Sequence, residues 1–124
     1  MAKQGGRMAR TRSAADPLAA LLALSGAVAV IAGAYGAHGV TGKAAEWLTT
    51  GAHYQMVHAA AGLAIMGKGR GPAGLLLFGA ALFSGTLYAM VFGGPKWLGA
   101  VTPLGGLGMI LGWMWIAVVY LKGR

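Results

Sequence analysis

Few side chains in this sequence can do chemistry, and four of them fall on one stretch. Gly51 to Met66, GAHYQMVHAAAGLAIM, carries His53, Tyr54, Gln55 and His58 before turning wholly apolar. Tyr54 and His58 are four residues apart, and Gln55 and His58 three apart, so on a helix each pair shares a face. His53 and His58 are five apart, roughly 140° around the axis at 3.6 residues per turn, and cannot chelate one ion from the same face. Elsewhere in apolar surroundings stand Tyr35, His38, Ser84, Thr86, Tyr88 and Thr102.

No carboxylate accompanies them. The chain has two acids, Asp16 and Glu46, and both lie at the ends of apolar runs. A nucleophilic serine needs a base held by a carboxylate, and Ser84 has neither, so the chain reads as non-enzymatic. A zinc site needs three or four ligands, and the sequence offers two at most, so neither a metal nor a cofactor is assigned. His38 with His53 is the least unfavourable pair for a haem or metal carrier, which stays as one alternative.

These residues are set in a membrane protein. The chain has 124 residues, 57% of them hydrophobic and 10% charged, against about 25% charged in soluble domains. Zero cysteines rules out disulfides and thiolate metal sites. The net charge of +8 does not point to nucleic acid, because the basic residues sit in short patches between apolar runs and form no basic face interleaved with aromatics.

Residues 1–15 hold Lys3, Arg7, Arg10 and Arg12 without apolar periodicity and read as a solvated basic tail. Asp16-Pro17 is a helix start, with Asp as the cap and Pro at the first helical position. Four spans are expected, at about 17–40, 47–66, 72–92 and 101–120, separated by Thr41 to Glu46, Gly67-Lys68-Gly69-Arg70-Gly71 and Gly93-Gly94-Pro95-Lys96. The first run is long for a signal peptide, whose apolar region covers about 7–15 residues. The fold expected is an all-α integral membrane four-helix bundle.

Lys and Arg set its orientation. Lys3, Arg7, Arg10, Arg12, Lys68, Arg70, Lys122 and Arg124 fall on one side, and only Lys43 and Lys96 on the other. The positive-inside rule then puts both termini in the cytoplasm, with Trp47 and Trp97 at the outer interface. A bacterial plasma membrane is the expected location, ahead of an organelle membrane. Small residues at four-residue spacing, Ala29-Gly33-Ala37, Ala81-Gly85 and Gly108-Gly112, are expected to pack the helices against one another.

With Val40, Trp47, Phe92 and Val101 as the outer boundary and a rise of 1.5 Å per residue, His38 lies about 3 Å deep, Gln55 about 12 Å and His58 about 16 Å. Ser84, Thr86 and Tyr88 return through about 12, 9 and 6 Å. The polar groups therefore gather in the outer half, as one pocket or network.

The same stretches carry a family resemblance. Gly33-Ala34-Tyr35-Gly36-Ala37-His38-Gly39, Trp47 with Tyr54-Gln55-Met56-Val57-His58-Ala59, Phe83-Ser84-Gly85-Thr86-Leu87-Tyr88, Leu98 to Gly106 and Gly112-Trp113 follow in order over about residues 25–118. The chain resembles the small four-helix membrane proteins of domain-of-unknown-function family 423, which includes YgdD-like proteins and is related to transmembrane protein 256. The resemblance implies a four-helix architecture and brings no settled activity. Its pattern picks out His38, Gln55, His58, Ser84, Tyr88, Thr102 and Pro103, and leaves out His53.

The leading expectation is a non-enzymatic membrane protein whose outer-half polar pocket (His38, Gln55, His58, Ser84, Tyr88, Thr102) stabilises the bundle and can bind a small ligand or a partner. Its partners are the lipid bilayer and a second copy or another membrane protein. An oligomeric small-solute or proton-coupled transporter, with His58 as the titrating group, is the alternative.

Overall fold

The computed structural model describes residues 14–123, so most of the basic tail lies outside the described residues. The described residues form four helices: α1 Pro17–His38, α2 Gly42–Ile65, α3 Arg70–Val91 and α4 Leu98–Leu121. Asp16 caps α1 by accepting from the Ala19 N–H at 3.2 Å, with Pro17 in the first turn. At 1.5 Å per residue the helices are about 33–36 Å long, enough to cross a bilayer core of about 30 Å. By length and apolarity α1, α3 and α4 qualify as membrane spans.

The polar stretch Thr41 to Glu46, expected as a connection, is instead the cap and first turn of α2. The chain reverses over residues 39–41 and enters the helix at Gly42, whose φ of +68° lies in the left-handed region that glycine adopts without steric cost. Lys43 and Glu46 then pair across the first turn at 3.7 Å, both exposed. This early start moves every residue of α2 about 7–8 Å deeper than a helix beginning at Trp47 would.

At the opposite end, Arg70 at the start of α3 holds Asp16 with two hydrogen bonds of 2.9 and 3.0 Å. The starts of α1 and α3 therefore lie together, and α2, though too polar in composition to qualify by itself, runs the full height of the bundle between them. Consecutive helices pack as neighbours, α1 on α2, α2 on α3 and α3 on α4, while α1 touches α3 only lightly. α2 and α3 are therefore the central pair, with α1 packed against α2 and α4 against α3. Buried positions are accordingly denser on α2 and α3 than on α1 and α4.

Two apolar clusters hold the ends. Leu22, Ile65 and Ala73, joined by Ile116, bring all four helices together near the Asp16–Arg70 end. Ala32, Leu48 and Ala52, with Val91, fasten α1 to α2 and α3 at the other. Between α3 and α4 the backbones themselves touch. A Cβ at Gly79 would come within 2.7 Å of the Met109 nitrogen, and one at Gly105 would run into the Phe83 backbone. The small-residue pair expected to pack α3 is not the one used: Ala81 is exposed and Gly85 has open space around it, while Gly79 on the other face makes the contact.

Gly105→Ala should therefore lower stability by about 1–3 kcal/mol through overpacking, whereas Gly85→Ala should be neutral or stabilise by up to about 1 kcal/mol through helix propensity. Thermal unfolding of the two variants in detergent checks the pair. The Asp16 clip has its own signature. Its hydrogen bonds to Arg70 and to the Ala19 N–H lower its pKa to about 2, from an ordinary value of about 3.9. A carboxylate with a lowered pKa stabilises the fold above its unfolded value, and that contribution is lost as pH falls through the folded one. Between about pH 4 and 2 the Tm should fall in the wild type and fall less steeply in Asp16→Asn.

Candidate functional site

Polar groups in hydrocarbon must be satisfied within the protein, and here each buried polar side chain makes a bond between helices. Gln55 on α2 is 6% exposed. Its amide nitrogen donates to Ser25 Oγ on α1 at 3.0 Å, and its oxygen accepts from the Tyr88 hydroxyl on α3 at 2.7 Å. One side chain thereby joins three helices. Side chains lean toward the N-terminus of their own helix; α2 and α3 are antiparallel, so Gln55 and Tyr88 converge although their Cα atoms stand at different heights. Beside them Ser84, fully buried, donates to the Gly51 carbonyl of α2 at 2.7 Å.

Thr86 and Thr102 join α3 to α4 through hydroxyl oxygens 2.6 Å apart. Each also reaches a carbonyl of its own helix, Phe83 at 2.9 Å and Leu98 at 3.1 Å. A hydroxyl has one proton, so only two of these three contacts are filled at a time. The short chain of donors runs either from Thr86 through Thr102 to the Leu98 carbonyl or from Thr102 through Thr86 to the Phe83 carbonyl.

His58 links α2 to α4. The indole N–H of Trp113 donates to His58 Nε2 at 2.9 Å, and Nδ1 lies 2.6 Å from the Tyr54 carbonyl. Indole only donates, so Nε2 must accept and the proton stands on Nδ1, where it donates to Tyr54. The geometry thus selects the neutral ring with one tautomer. Tyr54, Phe83 and Trp113 surround this pair, with Tyr54 and Phe83 ring centroids 4.8 Å apart and His58 edge-on to Trp113 at 5.7 Å. Together with Met109 they line a crevice of about 340 Å³ between α2, α3 and α4.

The six residues singled out from sequence therefore separate. Gln55, Ser84 and Tyr88 share the seam between α2 and α3, Thr102 sits between α3 and α4, and His58 lies between α2 and α4. His38 stands apart: it is exposed at the end of α1, with no side-chain hydrogen bond to a described residue. His53 is exposed as well and lies edge-on to Tyr54. Among the described residues no group of three or more His, Asp or Glu side chains is placed to hold a metal ion.

Gln55 and His58 are also deeper than the sequence frame put them. Gln55 is the thirteenth residue beyond Gly42 and Ser25 the thirteenth before His38, each about 20 Å from the end where the two helices meet. His58 and Trp113 likewise lie about 24 and 22 Å along from Gly42 and Leu98. These four lie near the middle of the bundle, while Ser84, Thr86, Tyr88 and Thr102 lie in the half nearer Gly42. Ser25, Trp113 and the Gly51 carbonyl are the partners that sequence reasoning missed. Ser25 carried one signal, as the sole hydroxyl between Pro17 and Ala34.

Apolar helices of spanning length, bound to one another by buried polar side chains, define an all-α integral membrane bundle. The chain matches the family model described as Protein of unknown function (DUF423) over residues 32–106, and it belongs to that family. Its relatives include a UPF0382 membrane protein of Haemophilus influenzae, 36% identical over 115 residues that cover 84% of this chain and 93% of the relative. UPF0382 membrane protein YwdK of Bacillus subtilis is 41% identical, covering 81% and 92%. A third, UPF0382 membrane protein C1782.12c of Schizosaccharomyces pombe, is 38% identical, covering 73% and 90%. No solved structure matches the chain. Family, helices and bacterial relatives make this a small integral membrane protein of the bacterial plasma membrane.

Interhelical hydrogen bonds in membranes are worth roughly 0.6 kcal/mol on average and up to about 1.7. Gln55→Leu removes two and should cost about 1–2 kcal/mol. In double-mutant cycles Gln55→Leu and Tyr88→Phe should couple, whereas Tyr88→Phe and Trp113→Phe, in separate clamps, should add to within about 0.5 kcal/mol. Strong coupling of the second pair would show that the clamps act as one unit.

Proposed function

We propose that this protein is a non-catalytic membrane bundle. Its buried polar side chains hold one packing of four helices, and the aromatic crevice beside His58 receives an uncharged small molecule or the side chain of a partner helix. The observation that carries this reading is the state of His58. Both ring nitrogens are engaged inside the bundle, and protonating Nε2 would break the bond to Trp113. A proton-carrying histidine must exchange protons as part of its work, while a packing histidine must keep them. The apolar cluster of Leu22, Ile65 and Ala73, closed by Leu18, Leu77 and Ile116, lies between the polar set and the Asp16 end. It supports the same reading, since a transport path would have to pass through it.

Both termini face the cytoplasm in this proposal. Lys68, Arg70 and Lys122 share the end where Asp16 meets Arg70 and Lys68 lies 5.1 Å from the Tyr120 ring centroid, in keeping with the positive-inside bias. A periplasm-active reporter fused after Arg124 should stay inactive, and an active one would reverse the orientation. His58→Ala should lower the Tm in detergent and leave proton flux into liposomes unchanged. If wild-type protein conducts protons and the variant does not, at equal stability, the transport reading replaces this one.

A further inference from the structure

The open side between α1 and α3 forms a groove of about 430 Å³, within the range of about 300–1,000 Å³ usual for small-molecule sites. Its walls are apolar, Leu21, Leu24 and Val28 from α1 and Leu77 and Phe78 from α3, and Ser25 and Gln55 stand among them. Those two polar groups have donors left over. The Gln55 amide brings two N–H groups, Ser25 one O–H and Tyr88 another, four donors in all, and they make two bonds with one another. The Tyr88 hydroxyl also has Ser84 within reach, while Ser25 and Gln55 bond to no further described residue through their side chains. With the amide as placed, the Ser25 O–H and the second amide N–H are unspent. Turning the amide over spends the Ser25 proton and turns that of Tyr88 toward Ser84, and one amide N–H is still unspent.

An unspent donor in hydrocarbon is costly, more so than an acceptor with a vacant lone pair. The occupant that fits brings an acceptor oxygen on an apolar body. It must also bring that oxygen deep. Ser25 is eight residues from Pro17, about 12 Å along the helix, whereas the ester carbonyls of a glycerolipid stay at the polar interface.

We propose that this groove binds a lipid-soluble carbonyl compound of the alkylquinone or prenylquinone type. Its carbonyl accepts from Ser25 and Gln55, and its tail leaves between α1 and α3 into the lipid. This site lies across the bundle from the His58 crevice and does not rest on the reading given to that histidine.

Gly74 supplies the test. It lines the groove, and a Cβ there would meet no atom within 4 Å, so Gly74→Phe fills the groove and leaves the Ser25–Gln55–Tyr88 bonds intact. The full chain in nanodiscs is titrated with decylbenzoquinone, and with decylbenzene as the analogue without carbonyls, and bound probe is counted by native mass spectrometry. Saturable one-to-one binding of the quinone is expected, weakened about tenfold or more in Gly74→Phe at wild-type Tm, and several-fold in Ser25→Ala, which also gives up the bond from Gln55 and melts slightly lower. Equal binding of decylbenzene, or unchanged quinone binding in Gly74→Phe, overturns the proposal. So does a disulfide-linked dimer of Gly74→Cys in a chain that otherwise has no cysteine, if the dimer forms in full and excludes the probe; that result gives the groove to a second copy.

Discussion

A helix with glutamine and histidine at its middle cannot face lipid, and the fold follows from that constraint on α2. Water satisfies stray polar groups in a soluble protein; in hydrocarbon another helix must do so. Gln55 and His58 lie three residues apart, about 60° around the axis, and different neighbours serve them. Gln55 takes α1 and α3, and His58 takes α4. Placing α2 in the central pair is what lets three helices reach it. α1, which is nearly all apolar, can then sit at an edge with most of its surface in lipid.

The interface between α3 and α4 obeys a different rule. Gly79 against Gly105 and Met109 brings two backbones into van der Waals contact, and the Thr86–Thr102 bond lies a few residues away on the same seam. Small residues give proximity and the hydroxyls give register, the division of labour that membrane helices use when apolar burial supplies little attraction. Pro103 is tolerated beside Thr102 because it lies in the first turns of α4, where few carbonyls precede it and the freed one is near the helix end.

Much of this was legible in the sequence. Four apolar runs gave four helices, the Asp16-Pro17 pair gave a capped start, and the importance of Gln55, Ser84 and Tyr88 to helix contact follows from their polarity alone. What could not be read was height. Thr41 to Glu46 looks like a loop by composition, and only the left-handed turn at Gly42 turns it into helix. That one boundary hid the match between Gln55 and Ser25, which share a level only when α2 starts early. It also made Gln55 and His58 look shallower than they are. His38 illustrates a second limit: a histidine at a helix end can face either way at no cost, so its direction is not written in its neighbours. The Ala81-Gly85 pair shows a third, since spacing marks a face as smooth without saying what it meets.

The bundle also has an order in time. A chain threaded into the membrane from its N-terminus delivers α1 first, then α2, and the Ser25–Gln55 bond, spanning 30 residues, is available as soon as both are in place. Tyr88 and Ser84 arrive with α3, which also brings Arg70 to Asp16 across 54 residues. Trp113 comes last, 55 residues after His58. Every helix thus meets a partner already present, and at each stage the newest hydrogen bonds tie it to a helix delivered before it. Until α4 enters, one nitrogen of His58 has no indole to accept from. The half-made protein therefore carries an imidazole nitrogen in mid-membrane whose donor arrives only with the fourth helix.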